Sequence, residues 1–80
     1  MSPDEQKYYE TYFDLFLTDG WKEFISEIQE IIDNQRIEDI RDEAQLNYTK
    51  GERSALKRIT QFEGGVRLSY DLIKEREAEE

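Results

Sequence analysis

Two apolar stripes at helical spacing constrain this chain more than any other feature. One reads Trp21, Phe24, Ile25, Ile28, Ile31, Ile32, and the other Ala55, Ile59, Phe62, Val66, Tyr70, Ile73. Each follows the 3.6-residue period, so each segment is an amphipathic helix with one face to bury. The first segment is strongly acidic and the second mildly basic, which makes each the natural partner of the other. The expected fold is therefore all-α: an antiparallel helical hairpin with a long C-terminal helix and a short aromatic N-terminal helix. Trp21, Phe24, Ile28 and Ile32 are expected to form the core seam with Ala55 or Leu56, Ile59, Phe62 and Val66.

Local signals place the elements within one small helical domain, residues 1–80. Ser2 suits an N-cap, Pro3 the first helical position, and Glu5 completes a capping box. They predict an N-terminal helix over about 3–18, with Tyr9, Tyr12, Phe13 and Phe16 as its stripe and Leu17 at the edge. Thr18-Asp19-Gly20 breaks the pattern, and Thr18 or Asp19 can cap a second helix over about 20–35. The chain reverses between Asp33 and Asp42. One long helix is expected over about 42–76, with Leu46 and Tyr48 adding apolar contacts, before an acidic tail at 77–80. Gly51 and the pair Gly64-Gly65 weaken that helix by roughly 1 kcal/mol each relative to alanine. The pair either permits a close helix approach or marks a bend.

Eighty residues without cysteine or histidine leave neither a disulfide nor a thiolate metal site as a staple. A single core of this size supplies only about 3–5 kcal/mol, so self-association or a fixed partner is expected over a free monomer. The net charge of −9 is uneven. Residues 1–45 carry thirteen acids and four bases, whereas residues 46–80 carry seven of each. A basic nucleic-acid footprint needs clustered lysine and arginine without this acid load, so no duplex nucleic acid is expected as a partner. No apolar run approaches the ~18–20 residues of a membrane span. No signal peptide is expected ahead of the acidic, aromatic first helix, and the protein should stay where it is made.

Catalysis finds little to work with. The commonest general base and nucleophiles are missing, so triads built on His or Cys are impossible. Glu23, Glu27 and Glu30 share a helical face at a spacing that could hold a hard cation. Perturbed carboxylates need apolar walls, and a solvated acidic face is the preferred reading. The acidic stretch Asp33–Ala44 fails as a calcium loop, because Gln35 and Ile37 stand at ligand positions and no central glycine is present. Gly64-Gly65 lacks the Gly-Lys-Ser/Thr signature of a phosphate loop. Lys57 and Arg58 are expected to bridge to Glu27 or Glu30, each pair worth about 0–1 kcal/mol. No enzyme, cofactor, metal or small-molecule substrate is expected.

The aromatics are the sharper signal. Ten of eighty residues are Phe, Tyr or Trp. Tyr8, Tyr9, Tyr12, Phe13 and Phe16 cover more than one face of the first helix, more than a two-helix core can bury. They are the candidate protein interface, with Phe13 and Phe16 near its centre, because aromatic rings are enriched in interfaces. The competing account is tyrosines with packed rings and wet hydroxyls.

The run Tyr8-Tyr9-Glu10-Thr11-Tyr12-Phe13, then Gly20-Trp21-Lys22-Glu23-Phe24, Lys50-Gly51, Leu56, Ile59, Phe62-Glu63 and Tyr70 resembles a group of small helical proteins of tailed, mainly marine, bacteriophages. The resemblance covers most of the chain and departs from the pattern at Gly64-Gly65. It implies a two-helix or three-helix phage protein and carries no active site onto any residue. The expected function is a non-enzymatic phage structural or assembly protein that works by protein–protein association. It would be a homo-oligomer or bind other phage proteins, in the virion or host cytoplasm. The alternative is an acidic inhibitor, a nucleic-acid mimic that binds a host enzyme.

Overall fold

The computed structural model describes residues 1–79, and these are helical, with no strand among them. The elements are α1 (Pro3–Phe16), α2 (Asp19–Asn34), a short 3-10 turn (Ile37–Asp39), α3 (Glu43–Thr60) and α4 (Phe62–Glu79). Their contacts divide into two compact bodies. One holds Met1–Lys22 with the segment from Phe62 onward, and the other holds Glu23–Gln61.

In the first body, α1 begins as its sequence predicts. Ser2 Oγ accepts the Glu5 N–H at 3.1 Å, and Pro3 opens the helix. That cap satisfies one of the amide groups left orphaned at a helix start. At the other end the Thr18 hydroxyl accepts the Trp21 N–H at 3.2 Å and so caps α2. Gly20 lies within α2 with an ordinary negative-φ helical backbone, so this turn does not depend on glycine. Tyr9, Phe16 and Val66 form the core, with Tyr12, Phe13, Trp21, Tyr70 and Ile73 packed against it. Met1 at the start of α1 pairs its amino group with Glu77, Tyr9 meets Tyr70, and Phe16 meets Phe62. Numbers rise along α1 as they fall along α4, so the two helices run antiparallel.

This pairing differs from the expected seam. Val66 finds its partners, Tyr9 and Phe16, on the N-terminal helix, whereas Phe62 meets Tyr12 and Phe16 of that helix and also Trp21 at the start of α2, at 6.4 Å, a contact of the expected seam. Of the seam residues, Trp21, Phe62 and Val66 belong to the first body, and Phe24, Ile28, Ile32 and Ile59 to the second. The aromatic load of α1 supplies the packing: Tyr9 and Phe16 bury their rings beside Val66, and burial of apolar area is what stabilises the contact.

In the second body, Ile32 is buried, and Ile25, Ile28, Ile37, Ile40, Leu46, Leu56 and Ile59 are half-buried. The chain leaves α2 after Asn34, inside the expected 33–42 window. Asp42 restarts it as N-cap of α3, accepting the Ala44 N–H at 2.8 Å and the Gln45 N–H at 3.3 Å.

The long C-terminal helix is interrupted at Gln61. That residue keeps a right-handed backbone (φ −93°, ψ −4°), and its N–H still reaches the Lys57 carbonyl at 3.0 Å. The interruption therefore costs little hydrogen bonding. It falls where the apolar stripe passes from one body to the other, three residues before the glycine pair. Gly64 and Gly65 lie inside α4 with open space where a Cβ would stand, so they neither end the helix nor admit a close neighbour. Of the expected acidic tail, residues 77–79 are the last turn of α4, and Glu80 lies outside the described residues.

Candidate interaction surfaces

The five candidate interface residues of α1 do not share one fate. Phe16 is 2% exposed and Tyr9 is buried beside Val66, so both serve the core of their own chain. Tyr12 and Phe13 are half-buried. Phe13 packs edge-on against Tyr70 at 5.0 Å, and Tyr12 against Phe62 at 5.1 Å. Tyr8 alone stays largely open, at 49% exposure. Of the two residues expected at the centre of an intermolecular surface, Phe16 is instead buried within its own chain, and Phe13 is half-buried. Of the competing account, rings packed with wet hydroxyls, Tyr9 shows the packed ring, while its hydroxyl shares a hydrogen bond with Ser69 Oγ at 2.7 Å.

Beside this core, Tyr8, Tyr9, Phe62, Gly65, Val66 and Ser69 line a hollow of about 220 Å³. Its lining is mostly apolar, and the titratable residues among those that line it are Tyr8 and Tyr9. A rim of charge surrounds the aromatic cluster. Trp21 Nε1 donates to Glu63 Oε1 at 2.9 Å, and Arg67 Nε donates to the other oxygen at 3.0 Å. The indole hydrogen bond first, then Arg67, hold the Glu63 carboxyl below its ordinary range. The Arg67 guanidinium also lies over the Phe13 and Phe16 rings, at 5.4 and 5.6 Å. Such contacts orient the cation and add modest stabilisation.

The acidic face of α2 stands apart from the bases meant for it. Among the described residues the ion pairs join Met1 to Glu77, Arg67 to Glu63 and Lys74 to Glu77. None links Lys57 or Arg58 to Glu27 or Glu30. Among the described residues no group of three carboxylates is placed to hold a metal ion, so Glu23, Glu27 and Glu30 do not converge. Among the described residues no helix is long and apolar enough to cross a membrane.

The larger open apolar side chains lie where sequence reasoning did not look. Leu68, at 60% exposure, and Leu72 sit one turn apart on α4, away from the Val66–Tyr70–Ile73 face. Tyr48 is the most open of these at 73%, although it was expected to add an apolar contact early in the long helix. Ala55 is likewise exposed, and the neighbouring Leu56 takes the inward position. Helical phase carries the signal in each case: Leu68 and Leu72 are half a turn out of step with the buried stripe, and Tyr48 is out of step with Leu46.

Compared with family models, with curated proteins and with solved structures, the chain matches none.

Proposed function

We propose that this is a non-enzymatic structural or assembly protein of a tailed bacteriophage, acting by protein–protein association through its apolar helical surfaces. One observation carries the reading. Among the described residues only Tyr9, Phe16, Ile32 and Val66 are buried, while nine large apolar side chains are exposed. A core so thin leaves a free monomer marginal, and exposed apolar surface on a small domain marks a partner. The phage origin rests on the resemblance of the Tyr8–Phe13 and Gly20–Phe24 runs, and it implies a place in the virion or host cytoplasm. The same reading includes an antiparallel return of the helix after the reversal alongside α2. It is supported by a hollow lined by Ile25, Gln29 and Asp33 on one side and by Thr60 and Gln61 on the other. Mass spectrometry of purified virions tests the function. Many copies per particle are expected, and absence from virions and from assembly intermediates overturns it.

A second reading is favoured by the unmatched acids of α2. Glu23, Glu27 and Glu30 are exposed, and among the described residues none is in an ion pair. An acidic inhibitor would present that row to the basic groove of a host enzyme, in place of phosphates. Salt-sensitive recovery of one host nucleic-acid enzyme with the protein, together with absence from virions, would select this reading.

A further inference from the structure

Along α3 the residues Ala44, Tyr48, Gly51, Ala55 and Arg58 recur at intervals of four, three, four and three. That is the spacing of a heptad seam, which keeps one stripe facing a partner helix. All five are exposed, Tyr48 more than any other large apolar residue of the chain. Gly51 has open space around the position of its missing Cβ. The stripe therefore carries one large knob and one hole, and nothing in its own body uses either.

The sizes are complementary. Reversed about the point between Thr49 and Lys50, four of the five positions read onto each other: Ala44 falls on Ala55, and Tyr48 falls on Gly51, while Arg58 falls on Arg41, ahead of α3. We infer that α3 is a homodimer seam, in which two copies pack antiparallel with the Tyr48 ring of each over Gly51 of the other. The inference rests on the association reading above and names its partner as a second copy of this chain.

Charge supports this register. Antiparallel helices bring like flanks together, so Gln45 comes beside Glu52 of the partner subunit, and Arg58 at the end of the stripe comes within reach of Glu43 of the partner subunit. Both contacts occur twice, and neither sets like charges together. Among the described residues these four side chains make no hydrogen bond or ion pair within their own chain. α3 also carries four bases against two acids, whereas α1, α2 and α4 each carry more acid than base. In a chain of net charge −9 it is the helix on which a second copy meets least acid. One helix pair of this length buries no more than about 1,200 Å², the small end of specific interfaces, so the dimer depends on concentration.

The test uses the intact chain, which has no native cysteine. Sedimentation equilibrium is run on wild type, Tyr48→Ser and Gly51→Glu, with circular dichroism reporting helix content. A concentration-dependent dimer is expected for wild type, weakened at least tenfold in both variants at unchanged helix content. Register is read separately from Tyr48→Cys and Gly51→Cys under mild oxidation. The mixture should cross-link faster than either variant alone. Self-association that both variants leave unchanged overturns this seam while the association reading stands. Fast cross-linking of Tyr48→Cys with itself overturns the antiparallel arrangement. A wild type that stays monomeric at high concentration, with no cross-link in the mixture, overturns the dimer. The association reading is then decided by the virion measurement.

Discussion

The indole N–H of Trp21 donates to the Glu63 carboxylate at 2.9 Å, joining residues 42 positions apart. One hydrogen bond thus ties the start of α2 to the first turn of α4. Arg67 holds the other carboxylate oxygen, one turn further along α4.

This pair makes stability depend on pH in a defined sense. The Glu63 carboxyl is held below its ordinary value of 4.5 in the folded state, by Trp21 first and Arg67 next. Its contribution is present above the unfolded value and is lost as pH falls through the folded one. Thermal unfolding of wild type and Glu63→Gln should therefore differ near about pH 7, and the difference should narrow as pH falls below the ordinary carboxyl value of 4.5. A gap that does not narrow with falling pH would show that the ionised carboxylate plays no part. Trp21→Phe keeps a ring and removes the donor, and it should shrink the gap at neutral pH as well.

Adjacent residues of α1 are predicted to respond in opposite ways. Phe16 is 2% exposed and Leu17 is 70% exposed. Phe16→Ala should cost about 3–5 kcal/mol, close to all the stability so small a core provides. Leu17→Ala should stay within about 0.5 kcal/mol of wild type. Trp21→Ala should fall below the Phe16 cost, because the indole is only half-buried. Urea denaturation followed by circular dichroism ranks the three. A Phe16→Ala protein as stable as wild type would remove Phe16 from the core.

The same placement changes what a Phe13→Ser, Phe16→Ser double variant reports. An interface role predicts intact helix and lost association. The observed core position predicts loss of helix content at every concentration, measurable by circular dichroism alone. Retained helicity would return both rings to the surface.

Gly64→Ala and Gly65→Ala should each stabilise the protein, by up to about 1 kcal/mol. Both glycines sit in α4 with open space at the Cβ position, so alanine removes backbone freedom from the unfolded chain without a clash. A lower melting temperature for either variant would reveal a close neighbour, in a second copy or another protein.

Much of the local structure is legible in the residues themselves. Ser2 and Pro3 start α1, Thr18 caps α2, and the break between α2 and α3 falls between Asp33 and Asp42, because caps and period act over a few residues. The inward positions of Ile32 and Val66 follow from their phase. The partner of each stripe is another matter. Periodicity states that a face is apolar and is silent on what covers it. The acidic second helix and the basic stretch after Lys50 look complementary, yet none of the Glu27 or Glu30 bridges forms, since surface ion pairs contribute too little to direct packing. What decides is area: the rings of Tyr9 and Phe16 bring more of it to Val66 and Phe62 than any charge pair offsets. The sequence by itself determined that the chain is helical, where its helices begin, and which face of each is apolar. Only the tertiary structure decided that α1 takes α4 and that the long helix is interrupted at Gln61. It also decided that Tyr48, Leu68 and Leu72 are among the open apolar side chains, because burial depends on the surfaces that meet in space.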